Sequence, residues 1–110
     1  MGVRRGDITL IVVSGDYGKP RPAVVVQTDL ANETHASIVV CPLTTHLQDA
    51  PLFRLPVEPS SDNGLNKKSQ IMVDKIVAVR KDKVRDKIGC LDKSTMLELN
   101  RALFLWLGLA

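Results

Sequence analysis

The strongest constraint on this chain is how its apolar residues are parcelled: short β-branched runs, each closed by turn formers, with one helical pattern at the C-terminus. Residues 6–13, GDITLIVV, are rich in the β-branched side chains that favour a pleated strand, and Ser14-Gly15-Asp16 supplies turn chemistry after them. In the loop at 17–22 each proline fixes its own φ and presses the residue before it into an extended conformation, so Pro22 holds Arg21 extended. Residues 23–27 read as a second strand whose unbroken run, Ala23 through Val26, predicts burial on both faces. Polar turn formers at 29–35 end it.

Residues 36–40 resume with Ile38-Val39-Val40, and Pro42 closes or bends this third strand because proline donates nothing to a ladder. A fourth strand is predicted over 52–57, exposed enough to carry Arg54. Residues 59–70 are polar and turn-rich, a surface loop ending near Lys67 and Lys68. The fifth strand, 71–79, is the odd one: Asp74 and Lys75 interrupt its apolar residues, and a charged pair there needs solvent, each other, or a site. Alternating charges at 81–87 predict a solvated turn or short helix, and 88–91 add one more short strand.

The last segment is helical. Thr95 and Glu98 have capping-box spacing, with Asp92 and Ser94 as the other candidate caps. Met96, Leu99, Ala102, Leu103, Trp106 and Leu107 fall on one stripe at ~100° per residue, the face expected to pack on the sheet. Leu97 and Phe104 lie on a flank where a monomer has little use for them, so a partner subunit is expected there. Short strands closed by one helix predict an α+β, mainly β fold: a small curled antiparallel barrel of five to seven strands with a C-terminal helix.

A chain of 110 residues suits one domain, expected over 1–110, and 45% apolar with 25% charged residues is the balance of a globular protein. The opening MGVRRGD lacks the apolar core of a secretory signal, and no apolar stretch reaches the ~20 residues of a membrane span. A cytoplasmic protein with no membrane partner is expected, with Cys41 and Cys90 as reduced, buried thiols. The net charge of +3 tilts mildly toward anionic partners.

No phosphate-binding loop, dinucleotide fingerprint, HExxH or CxxC pair is present, and Cys41, His46, His35 and Cys90 lack metal-ligand spacing. No metal and no cofactor are expected. What stands out is a conjunction: Arg21 opens strand two, and Thr44 follows strand three in CPLTT. The ends of consecutive antiparallel strands can share one cleft, and a fixed guanidinium beside a hydroxyl suits a phosphate. The bland alternative pairs Arg21 with a surface carboxylate such as Asp16.

Taken together, RRGDI, RPAVVVQ, CPLTT, VDKI and ALFLWLGL occur in the order found in the MazF/PemK family of bacterial toxin ribonucleases, which the chain resembles over nearly its whole length. The resemblance implies a homodimer of SH3-like barrels that cuts single-stranded RNA without a metal. The ribose 2′-hydroxyl attacks the neighbouring phosphate and leaves 2′,3′-cyclic phosphate and 5′-hydroxyl ends. It assigns catalysis to Arg21 and Thr44, and implies an antitoxin whose flexible acidic segment folds across the cleft and the dimer surface.

Many relatives carry a longer first loop with a GHEQ-like run, where this chain has only SGDYGKP. A histidine from that loop is therefore missing, and His46 is the candidate substitute as proton donor. Tyr17 either stacks on a splayed base or covers its own loop. Lys19, Ser69, Gln70, Asp74 and Lys75 line the same RNA groove if strand five flanks it, with an Asp74–Lys75 structural pair as the alternative reading. Lys67 and Lys68 are solvated charges that steer RNA inward. The rival function is that of a CcdB-type toxin, a fold relative that binds DNA gyrase and does no chemistry; the ending WLGLA favours it, and a core position for Trp106 counts against it.

Overall fold

The computed structural model describes residues 2–13, 19–50 and 52–109. Its elements are β1 (Asp7–Ile11), β2 (Arg21–Val25), β3 (Ser37–Thr44), β4 (Arg54–Val57), β5 (Ser69–Met72), β6 (Val77–Arg80), β7 (Val84–Cys90) and α1 (Lys93–Trp106). Short 3-10 turns at Val73–Lys75 and Lys81–Lys83 precede β6 and β7. The strands form one antiparallel sheet in the order β4-β5-β3-β2-β1-β7, with β6 paired to β3 as well. The sheet stays open between β4 and β7.

β3 is the spine. One edge pairs with β2; the other pairs with β6 along Ser37–Val40 and with β5 at Leu43 and Thr44. Pro42 does not end this strand, which runs on through Thr44. The expected continuous fifth strand is instead two strands separated by a turn. Val40 faces Val77 while Leu43 faces Ile71, so β3 advances three residues as the opposing chain advances six. The turn at Val73–Lys75 takes up the difference, and it is pinned because Arg54 donates to both carboxylate oxygens of Asp74, at 3.0 and 3.2 Å. Arg54, expected on an exposed strand, is drawn in by this pairing until its side chain is only 10% exposed.

Both faces of the sheet are buried at its centre, whereas β6 and β7 are largely exposed. Ala23, Val24 and Val25 of β2 are fully enclosed, as their unbroken run predicts. Val24 joins Ile8, Cys41, Leu43 and Ile71 against Leu99, Ala102 and Leu103 of α1. Ala23 and Val25 point the other way, onto Ile11, Ile38, Val40 and Val79. No helix of the described residues covers this second cluster, so the strands bend round to enclose it, which is the barrel-like curl of the fold.

Asp92 caps the helix: its carboxylate accepts from the Thr95 amide and hydroxyl. Only the middle of the predicted stripe packs down. Trp106 is 43% exposed, with its ring edge-on to Phe53 at 5.0 Å, and Leu107 is exposed too, because the last turn of α1 overhangs the sheet. Leu97 and Phe104 are exposed, as their flank position implies. Cys41 is buried, but Cys90 lies exposed at the end of β7, an edge strand, contrary to expectation. Gly89 in that strand admits the loop at 60–64, since a Cβ there would collide with the backbone of Asp62 and Asn63. Among the described residues no helix is long and apolar enough to cross a membrane.

Candidate active site

Arg21 is the first residue of β2 and Thr44 the last of β3. Ala23 faces Pro42, and the same register continued two residues sets Arg21 opposite Thr44. Neighbouring strands extend the row, with Ile11 facing Arg21 on one side and Gln70 facing Thr44 on the other. Directly opposed residues in an antiparallel sheet share a face, so these side chains gather at one end of the curled sheet. The two candidate catalytic residues line a single cleft of about 260 Å³. Ile11, Val13, Pro42, Leu43 and Met72 complete its walls. The result is an apolar trough with a guanidinium and a hydroxyl on its lining, which suits an anionic group attached to a flat apolar body.

The Thr44 hydroxyl is already oriented. Its Oγ1 accepts from the His46 amide at 3.0 Å, closing a tight turn just after β3. With a lone pair so engaged, the hydroxyl proton is directed elsewhere and can serve an oxygen in the cleft. Gln70 holds the same loop one step further on: its side-chain carbonyl accepts from the Gln48 amide at 2.9 Å, and its amide donates to the Gln48 carbonyl at 2.8 Å.

The other predicted contact residues separate. Lys19 is exposed beside Arg21, and His46 is exposed in the loop after Thr44. Ser69 is buried, donating its hydroxyl to the Lys67 carbonyl. Asp74 is paired with Arg54 rather than with Lys75, and this hydrogen-bonded cation holds its carboxyl below the ordinary value of 3.8 against the opposing effect of burial. Lys75, Lys67 and Lys68 are exposed, and Lys68 lies 3.4 Å from Glu58. Tyr17 falls outside the described residues. Among those residues no group of three or more His, Cys, Asp or Glu side chains could hold a metal ion.

Sequence reasoning missed the apolar walls, above all Met72, and missed Arg54 as the partner of Asp74. The cation inside the alternation Leu52-Phe53-Arg54-Leu55 was a signal for the latter, because an arginine among residues that pack inward needs a counter-charge. A second, larger concavity of about 500 Å³ lies beside α1, lined by apolar residues including Leu103, Phe104 and Leu107 together with Arg5, Gln27 and Asn100. Its polar lining residues are committed to internal contacts: Arg5 donates to the Val26 carbonyl and to Asn100 Oδ1, and the Gln27 side-chain amide donates to Asn32 Oδ1 and the Ser37 carbonyl.

Comparison with known proteins agrees over the whole chain. Residues 4–107 match the family model described as PemK-like, MazF-like toxin of type II toxin-antitoxin system. A "Probable endoribonuclease MazF" of Mycolicibacterium smegmatis is 40% identical over 109 residues, covering 98% of this chain and 99% of the relative. "Endoribonuclease EndoA" of Bacillus subtilis is 31% identical over 116 residues, covering 99% and 97%. Among solved structures, an endoribonuclease in complex with its cognate antitoxin from a mycobacterial species superposes with a TM-score of 0.82 at 27% identity, over 98% of this chain and 97% of that one. The chain therefore belongs to the PemK-like, MazF-like toxins of type II toxin–antitoxin systems.

Proposed function

We propose that this protein is an endoribonuclease toxin, a single domain over 1–110, that cuts single-stranded RNA at a phosphate held between Arg21 and Thr44. The observation that carries this reading is that the two side chains line one cleft. The relatives named as endoribonucleases support the activity. In the reaction the ribose 2′-oxygen attacks the adjacent phosphorus and its proton passes to a base. The bond from phosphorus to the 5′-oxygen breaks, and that oxygen takes up a proton. A 2′,3′-cyclic phosphate and a 5′-hydroxyl end result. The nucleophile comes from the substrate, so the protein's work is to hold in-line geometry and to neutralise charge building on the phosphate oxygens.

Arg21 supplies that charge and Thr44 a directed hydroxyl proton. His46, two residues beyond Thr44, is the candidate for returning a proton to the 5′-oxygen. Lys19, Tyr17 and Lys75 are assigned to flanking nucleotides, while Ser69, Gln70 and Asp74, held by internal contacts, shape the groove. An acidic antitoxin segment is the expected partner, supported by the mycobacterial relative solved with its cognate antitoxin. A homodimer through the exposed helix flank at Leu97 and Phe104 is part of the same reading.

End-labelled single-stranded RNA, incubated with purified protein in excess EDTA, tests the proposal. Cyclic-phosphate ends are expected, and Arg21→Ala lowers the rate by ~10²–10³, the usual cost of one preorganised charge-stabilising donor. Cleavage by that variant at the parent rate refutes the assignment. One observation favours the gyrase-binding alternative, the exposure of Trp106 near the chain end. Intact RNA together with stalled gyrase in the same assay decides for it.

A further inference from the structure

The geometry points to Gln70 as a positioning residue for this reaction: its buried side-chain amide clamps the backbone of Gln48 and thereby fixes the turn that aims the Thr44 hydroxyl. The inference rests on the reading of the cleft given above. Gln70 is 9% exposed, and both ends of its amide are engaged by one residue, accepting at 2.9 Å and donating at 2.8 Å. Two antiparallel hydrogen bonds to the N–H and C=O of a single residue copy the pairing of a β-ladder, so the side chain stands in for a strand that the loop lacks. Only a primary amide does this without a proton change, because it offers one donor and one acceptor side by side.

Three links connect the clamp to the chemistry. Gln70 faces Thr44 directly in the β3–β5 register. The clamped residue Gln48 is four positions beyond Thr44, with an amide two residues before it, His46, donating to Thr44 Oγ1. His46, Leu47 and Gln48 are themselves exposed, so little packing holds this stretch of loop. Without the clamp the His46 amide loses its fixed position, and the Thr44 hydroxyl loses the partner that sets its direction. Such misplacement changes turnover more than affinity.

The test uses two variants of the full chain, Gln70→Leu and Gln70→Glu, each compared with the parent at equal pH. Ionised glutamate accepts from the Gln48 amide but opposes its carbonyl; protonated glutamate again offers one donor and one acceptor. Burial beside that carbonyl keeps the introduced carboxyl protonated above the ~4.3 of an exposed glutamate. The charged and titratable groups nearby, His46 and Asp49 in the loop and Arg54 and Glu58 near β4 and β5, are the same in parent and variants, so each variant is read as a ratio to the parent at the same pH. At about pH 8 both variants are expected to lose ~10–100-fold in kcat with KM changed little. On acidification to about pH 5, Gln70→Glu regains most of that loss relative to parent and Gln70→Leu does not.

A readout without RNA separates the clamp from direct RNA contact: exchange of the Gln48 amide hydrogen in the free protein. It is slow in the parent, fast in Gln70→Glu at about pH 8, and slowed again, relative to parent, at about pH 5. Parent-like turnover by either variant at about pH 8, a loss carried by KM alone, or Gln48 exchange indifferent to the substitution overturns the inference. If Gln70→Leu fails to fold, the pH response of Gln70→Glu decides alone. Should the parent itself leave RNA intact, the nuclease reading fails, and Gln48 exchange still reports on the clamp.

Discussion

Removing the carboxylate of Asp74 should cost stability out of proportion to its small size. Arg54 reaches it with two hydrogen bonds, 3.0 and 3.2 Å, from a side chain only 10% exposed, whereas that of Asp74 is 27% exposed. Asp74→Ala strands a nearly buried guanidinium. Breaking a fully buried pair costs ~3–5 kcal/mol, and the partial exposure of the carboxylate, which lets water reach the orphaned cation, reduces the expectation to ~2–3 kcal/mol. With an unfolding entropy of about 2.1 cal/mol/K per residue, a chain of this length loses roughly 10 °C in Tm. The assay is urea and thermal unfolding of the parent, of Asp74→Ala, and of the double variant Arg54→Met/Asp74→Leu, which removes both charges and should recover at least half of the loss. The pH dependence adds a sign. Because Arg54 holds the Asp74 carboxyl below 3.8, the stabilisation is complete above about pH 4 and is lost as pH falls through the lowered native value. An Asp74→Ala protein within ~0.5 kcal/mol of the parent, or a double variant no better than the single one, refutes the reasoning.

Thr44→Val keeps the shape of the side chain but removes the hydroxyl, so turnover on RNA should fall by ~10-fold or more while affinity, measured by binding in the same buffer, changes little. Thr9 on β1 is fully buried, and its hydroxyl has no hydrogen-bond partner among the described residues. Thr9→Val should therefore stabilise by ~1 kcal/mol in urea unfolding, and a loss of stability contradicts this. Charging the exposed helix flank with Leu97→Glu and Phe104→Glu should shift a homodimer to monomer in sedimentation without lowering Tm by more than a few degrees, since neither side chain belongs to the core.

How much of this was legible before coordinates varied with the range of the interactions. β2 announced itself, because a run of four apolar residues between polar turns has no other use than burial on both faces. The helix was legible through its period, yet its overhanging end was not, since the pattern at Trp106 and Leu107 says which side they are on and not where the sheet stops. The break in the fifth strand depends on Arg54, twenty residues earlier, so Asp74 could be flagged as anomalous while its partner stayed hidden. Arg21 and Thr44 were readable as strand ends, but that they share a cleft follows from a register set by residues 23 to 25 against 40 to 42. Gln70 and Gln48 lie 22 residues apart, and the Gln70 side chain meets only backbone atoms of Gln48, which leave no mark in side-chain composition.

The two thiols have a practical consequence. Burial pushes the Cys41 thiol up to about 12, and no part of that residue reaches solvent, whereas Cys90 is open on an edge strand. Alkylating reagents attack the thiolate, so the native fold should take up one label quickly and a second only when the sheet itself comes apart. Mass spectra showing one adduct or two would thus time the opening of the toxin, with or without an antitoxin present, using no introduced probe.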